Sequence, residues 1–340
     1  MNSIQTGIRT LASIGIFAAL MANALAGSAA AQNILATIPI PSASAGQIAV
    51  NPALNRIYSG GGPTTGSSLT VIDSKAFSVV TTIPSSAGVS VDMREDNFWD
   101  GTLSAGNINI YAGATDAQVF SIAVGSCPAA VTFDCARGRM WVASQCGTGN
   151  DPVWVFNTGT FAMIGSPITP GGTILTPPVV SPDSGKLYVT SGGVSREIDS
   201  KTFAVTNTTY GTVMAIDSIT SHLFAVSGTN LQIVSAHSDT ISKTVALTYA
   251  PAAIGVNNAM AHVYLLNSAG GSIDVYTEVG KKLATFTLPT GDQPNSIAVD
   301  SARGRLFADV YNTSTKSWSV LVVEDLSSVR KCSYAGSCDY

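Results

Sequence analysis

Seven times along this chain an apolar residue is followed, eight positions later, by an aromatic one. The apolar anchors are Val50, Val91, Phe133, Val180, Ile216, Val256 and Val299; the residues eight positions on are Tyr58, Trp99, Trp141, Tyr188, Phe224, Tyr264 and Phe307. Aromatic residues make up only 7% of the chain, so an unbroken column of seven marks a repeated structural unit. Neighbouring columns agree. The position before each aromatic is apolar, from Ile57 to Leu306. The position after each anchor is Asn51, Asp92, Asp134, Ser181, Asp217, Asn257 or Asp300, short polar side chains that bond back to the backbone and start turns. Apolar residues two before the anchor and at the anchor itself give the alternation of a strand. Each unit therefore opens with a strand, a tight turn and a second strand that carries the aromatic.

The second half of each unit is also strand-like. Leu69-Thr-Val-Ile-Asp73 is followed by a short turn and Val79-Val-Thr-Thr-Ile83, and Ile108–Tyr111 with Gln118–Ile122 follows the same plan. Anchor spacings of 41, 42, 47, 36, 40 and 43 residues fit four-stranded antiparallel units repeated around an axis, as in a β-propeller. The fold expected is all-β, a seven-bladed β-propeller of four-stranded antiparallel blades over residues 32–325. Ile34-Leu-Ala-Thr-Ile38-Pro39 precedes the first anchor and matches Val79-Val-Thr-Thr-Ile83-Pro84, a fourth strand. This orphan is expected to complete the last blade and close the ring, which removes an open sheet edge.

Leu187-Tyr188-Val189-Thr190-Ser191 nearly reproduces the Tyr-Val-Thr-Asn element of the YVTN β-propeller family, with Ser in the last place. Val71-Ile-Asp73-Ser followed by Val80-Thr-Thr-Ile-Pro84 is similar to that family's second half-repeat. The resemblance covers about residues 34–325. It implies an exported surface or binding protein, while similar seven-bladed scaffolds also hold lactonases and lyases, so fold alone does not choose the function.

Residues 1–31 read as a secretory signal peptide. Arg9 is basic, Ile14–Ala22 is a short apolar core, and Ala29-Ala30-Ala31 offers small residues for cleavage before Gln32. The expected location is secreted or periplasmic, with no stable membrane span after cleavage, and the expected assembly is a monomer. Charged residues are 11%, hydrophobic residues 45% and the net charge is −4. That composition excludes a mainly disordered chain and a nucleic-acid partner.

Export permits disulfides. Opposed residues of an antiparallel hairpin keep a constant index sum. If Phe133 opposes Trp141 the sum is 274, and Cys127 with Cys146 gives 273, so these two are expected to pair. Cys135, at the turn, is expected to stay free. Cys332 and Cys338, in the tail 326–340, are expected to form a local second bridge.

Loops joining second to third strands, and each blade to the next, lie on one face around the channel. On that face the candidate ligand-binding residues are Asp100, Gln145, Asn150, Asp151, Asp292, Gln293 and Asp309, with Lys316 beside them. The leading expectation is a noncatalytic recognition scaffold that uses this face to bind a protein, glycan or other polymer, with no cofactor. The alternative is a lactonase- or lyase-type enzyme in which converging carboxylates hold Ca²⁺ or activate a water or sugar hydroxyl. Trp99 and Trp141 belong to the aromatic column and read as core. His222 and His262 stand six after their anchors, in a column otherwise occupied by Arg56, Asn97, Arg139, Lys186 and Arg305, on the opposite rim; His237 falls in a turn. No Gly-x-Ser-x-Gly elbow or Ser/His/Asp arrangement is visible. The purified protein is accordingly expected to resist a fluorophosphonate probe. Stoichiometric labelling of one serine, read by intact mass, is the contrary result.

Overall fold

The computed structural model describes residues 33–41, 45–61, 67–84, 88–102, 106–125, 127–147, 149–174 and 176–325. The proposed signal peptide and the Cys332–Cys338 loop lie outside the described residues. The chain is a seven-bladed β-propeller. Blade 1 runs through strands Ala45–Asn51, Arg56–Gly61, Ser68–Asp73 and Ser78–Pro84, paired antiparallel in chain order. Blades 2, 4, 5 and 6 follow the same plan. The last combines Asp292–Asp300, Arg305–Asn312 and Ser317–Glu324 with Asn33–Ile40 as its outer strand, so the ring is closed by the N-terminal strand as expected.

Blade 3 departs from the four-strand expectation. Only Pro128–Asp134, Arg139–Ser144 and Val153–Asn157 form continuous strands; the fourth place is held by two isolated bridges, Val153 to Ile168 and Phe156 to Met163. Pro167 and Pro170 lack the N–H that a continuous ladder needs at this edge.

The aromatic column builds the joints between blades. Tyr58 of blade 1 stacks on Phe98 of blade 2, with ring centroids 4.3 Å apart. The same offset recurs round the ring. Trp99 packs in one cluster with Met140, Trp141 with Leu187, Tyr188 with Leu223, Phe224 with Val263, Tyr264 with Leu306 and Phe307 with Ile57. Each of the seven apolar cores is thus one inter-blade interface, with the aromatic of one blade set against the preceding-position apolar residue of the next. All seven aromatics are buried.

The hairpin register differs by one residue from the sequence expectation. Each anchor pairs with the residue seven positions on, as in Phe133 with Met140, and the aromatic opposes the residue before the anchor, as in Thr132 with Trp141. The index sum is therefore 273 rather than 274. The residues facing the aromatics are Ala49, Ser90, Thr132, Val179, Ala215, Gly255 and Ala298, none larger than valine. A small residue opposite a large ring keeps the sheet face level for the neighbouring blade. At Gly255 an added Cβ would stand 3.0 Å from a Val299 methyl.

The turns after the first strands are equally repetitive. The side chains of Asn51, Asp92, Asp134, Asp217, Asn257 and Asp300 accept hydrogen bonds from backbone N–H groups two or three residues ahead. Five positions after each anchor stands a left-handed residue: Asn55, Asp96, Gly138, Gly185, Ser221, Ala261 or Gly304, with φ between 53° and 70°. That conformation turns its carbonyl sideways. Each of these carbonyls accepts an N–H from the residue that leaves the blade's third strand, at 2.8–3.0 Å.

The polar column six after each anchor also gains a reason. Arg139, Lys186, His222, His262 and Arg305 reach the next blade at Ser200, Asp239, Glu278, Asp325 and Ser74 respectively. These contacts form a belt on the turn rim. His262 is buried within it, its Nδ1 2.7 Å from Asp325, which also accepts from the Tyr264 hydroxyl. His237 is exposed.

The closing strand buries Ile38 and Ile40 against blade 1. Each is worth about 1.5–3 kcal/mol of apolar burial, and their loss also opens a sheet edge. Deleting residues 32–40 should lower the melting temperature by about 5–10 °C or more and broaden the transition. An unchanged calorimetric transition would count against closure by this strand.

Candidate functional site

Antiparallel order places the connections between second and third strands, and between successive blades, on the face opposite the tight turns. At the axis on this loop face lies a cavity of about 640 Å³, walled by the first strands of the blades. Small residues let those strands crowd together. At Gly88 a Cβ would fall 2.0 Å from the Gln47 amide oxygen and 3.0 Å from the Ala129 carbonyl. The polar groups on the wall are all uncharged: Gln47, Ser90, Thr132, Gln145, Asn295 and Ser296 stand among them, between Ile48, Val89, Val131 and Ile297. Among the described residues no charged side chain lines the cavity.

Of the residues singled out in the sequence, Gln145 lies on the cavity wall and is half-buried. It is held from both sides. Cys127 and Cys146 form the expected disulfide, with Cα atoms 5.3 Å apart, and the Gln145 N–H donates to the Cys127 carbonyl at 3.0 Å. Cys135 is a free, exposed cysteine, also as expected. The observed index sum of 273 is that of Cys127 with Cys146; the bulge between Pro128 and Ala130, which sets Pro128 opposite Ser144, shifts the register by one at this end and still leaves the two cysteines within bridging distance.

The other candidates are dispersed. Asn150 is exposed and bridges to Gly172, while the Asp151 carboxylate is buried beneath the same loop and accepts the Ile174 N–H at 3.1 Å. Asp292 is buried and accepts from the Asn312 amide at 2.7 Å; Gln293, next to it, is exposed. Asp100 is buried in the second strand of blade 2, and Lys316 sits exposed in a left-handed turn residue.

Asp309 lies in the seam between the last blade and the first. It is fully buried, and its two oxygens accept from Ser59 of blade 1 at 2.9 Å and from Ser296 of its own blade at 3.0 Å. Ser296 in turn is part of the cavity wall. Burial away from water pushes the Asp309 carboxyl up to about 7, against the opposing pull of the two serine hydroxyls.

Among the described residues no group of three or more His, Cys, Asp or Glu side chains is gathered as a metal ligand set. Among them, too, no helix is long and apolar enough to cross a membrane. No family model matches the chain, and no curated protein matches it.

Sequence reasoning passed over one feature of this face. Tyr311 and Trp318 form a cross-strand pair on the last blade, with ring centroids 5.1 Å apart and planes tilted by 47°. Both are half-buried. The available signal was the strand-like alternation that runs on past Phe307 through Asp309 to Tyr311, where the other units turn to Gly, Ser and Thr.

The raised carboxyl of Asp309 generates a pH prediction. Between about pH 4 and pH 7 the folded protein keeps a proton there that the unfolded chain has released, so this group removes stability as pH rises through the window. Asp309→Asn abolishes the effect. The stability of the variant relative to the parent should grow by roughly 3 kcal/mol from pH 4 to pH 7 and then level off. Urea unfolding at successive pH values measures it; parallel stability profiles would contradict the assignment.

Proposed function

We propose that this protein is an exported, noncatalytic recognition scaffold that binds a protein, glycan or other polymer on the loop face of its propeller. The observation that carries this reading is the uncharged wall of the channel mouth, where amide and hydroxyl groups alternate with apolar side chains. Such a surface recognises a ligand by shape and neutral hydrogen bonds. The carboxylates of Asp151, Asp292 and Asp309 already accept hydrogen bonds from the protein, which suits a structural role better than proton transfer to a bound substrate. Export to the periplasm or the medium is supported by the leader-like residues 1–31 and by the Cys127–Cys146 bridge. The Leu187–Ser191 element and the blade repeats support kinship with YVTN-type propellers. The scaffold works as a monomer and without a resident metal.

Neutral contacts are insensitive to salt screening. Glycan and peptide arrays probed with the purified protein should therefore yield a ligand whose binding persists in high salt and in EDTA. Gln145→Ala combined with Asn295→Ala should weaken that binding about tenfold, the equivalent of about 1.4 kcal/mol, at unchanged melting temperature. Recovery of the ligand in cleaved form, or binding that disappears with EDTA, would overturn the reading.

A further inference from the structure

The second strands of all seven blades begin at the same repeat position, six after the anchor. In blades 1 to 6 they run for six residues, as in Arg56–Gly61 and His262–Asn267; in the last blade the strand runs for eight, Arg305–Asn312. The third strand of that blade, Ser317–Glu324, is lengthened to eight as well, and the first strand starts early, at Asp292. Because the turn-rim ends are in register, the whole excess lies on the loop face. Two residues at about 3.3 Å each carry its second strand roughly 7 Å past the repeat position where the second strands of its neighbours end.

The extension carries a row of side chains on one face. Gln293 pairs with Tyr311, Tyr311 with Trp318, and Trp318 with Ile40. Phe307 and Asp309 show which way this face looks, since both meet blade 1. Among its described residues, blade 1 brings glycines toward the outer part of the row, while Trp318 also packs against the core shared with blade 1. Continuing from Ile57 and Ser59, its next residue on the facing side is Gly61, and its first strand offers Gly46. Those glycines also line the central cavity, so the aromatic row adjoins the channel mouth. Neither the Tyr311 hydroxyl, the Trp318 indole N–H nor the Gln293 amide makes a side-chain hydrogen bond to another described residue. Asn312, at the tip, is by contrast fixed by Asp292 and by the backbone N–H groups of Ser314 and Thr315.

We infer that the projecting row Gln293–Tyr311–Trp318 is a binding platform for a neutral oligo- or polysaccharide. The inference rests on the recognition-scaffold reading and names its ligand class. Aromatic rings with an apolar body and a polar handle suit a surface that is half wet, and the apolar C–H face of a sugar ring packs on such rings while its hydroxyls meet the Gln293 amide, the Tyr311 hydroxyl and the indole N–H. The row contains no charge, and Lys316, the cation nearby among the described residues, is too little to hold a polyanion, in a chain of net charge −4. Two flanking rings in a polar surround are also a small apolar area for a protein partner.

The chain has four tryptophans, and Trp99, Trp141 and Trp154 are buried. Acrylamide quenching of the intact exported protein therefore reads Trp318. Cellohexaose, maltohexaose and laminarihexaose serve as probes. At least one should protect Trp318 from quenching, and Tyr311→Ala or Trp318→Ala should weaken its binding about tenfold by calorimetry. If Trp318→Ala lowers the melting temperature, Tyr311→Ala and Gln293→Ala carry the test, since both positions are at the axis-side end of the row, away from the closing strand. Failure of all three sugars to protect Trp318 overturns the platform. So does binding that resists Tyr311→Ala and Gln293→Ala yet is lost in Gln145→Ala, which moves the ligand to the channel mouth and leaves the scaffold reading intact. An array peptide that protects Trp318 where sugars do not overturns the glycan assignment alone. A sugar recovered cleaved overturns the scaffold reading itself.

Discussion

The fold depends on one contact made seven times: the aromatic residue of each second strand pressed against the apolar residue at the preceding repeat position in the next blade. A single blade is apolar on both faces and has no core of its own. Only a ring satisfies every blade, because an open row would leave one aromatic face in water at one end and one apolar face at the other. Closure by Asn33–Ile40 is therefore a requirement of the packing. The strand nearest the N-terminus joins Ser317–Glu324 and ties the two ends of the propeller without a covalent bond.

The two rims solve different problems with the same strands. On the turn rim the geometry is repeated almost residue for residue: a side chain that caps the turn, a left-handed residue, and a carbonyl that receives the N–H leaving the third strand. The polar residue that follows reaches the next blade, as arginine, lysine or histidine. His262 is one member of this belt and differs from the others only in being fully enclosed, with Asp325 and the Tyr264 hydroxyl as company. On the loop face the described residues depart from the repeat in several places. Strand lengths vary, blade 3 exchanges its outer strand for a proline-bearing segment, and the second strand of the last blade runs two residues past the others. The diversity needed for recognition is confined to the face where the repeat imposes least.

Asp309 illustrates how the seam between the chain's ends differs from the other six. The corresponding repeat position is Gly60, Gly101, Ala143, Thr190, Val226 or Leu266 elsewhere. Here a carboxyl occupies it, met by serines from two blades and far from water. A buried carboxyl with two hydroxyl donors imposes a particular pairing of blades at some cost in stability near neutral pH. The same hydrogen bonds place Ser296 on the cavity wall.

The sequence by itself determined the blade count, the closure and the Cys127–Cys146 bridge, because each follows from a local period and from hairpin pairing that needs no knowledge of the rest of the molecule. It also determined that Trp99 and Trp141 are core, since their column recurs. The register was legible to within one residue; the error arose because the aromatic, rather than its smaller neighbour, looked like the partner of the anchor. Tertiary structure alone decided the fate of the polar candidates. Asp100, Asp151 and Asp309 read like Gln145 in the sequence, yet Gln145 reaches the cavity and the three carboxylates are buried elsewhere. Their environments are set by residues as distant as Ser59 is from Asp309. The exposure of Tyr311 and Trp318 was hidden for a like reason: it depends on a two-residue extension of one blade standing against glycines of another, a relation between chain ends that no local pattern contains.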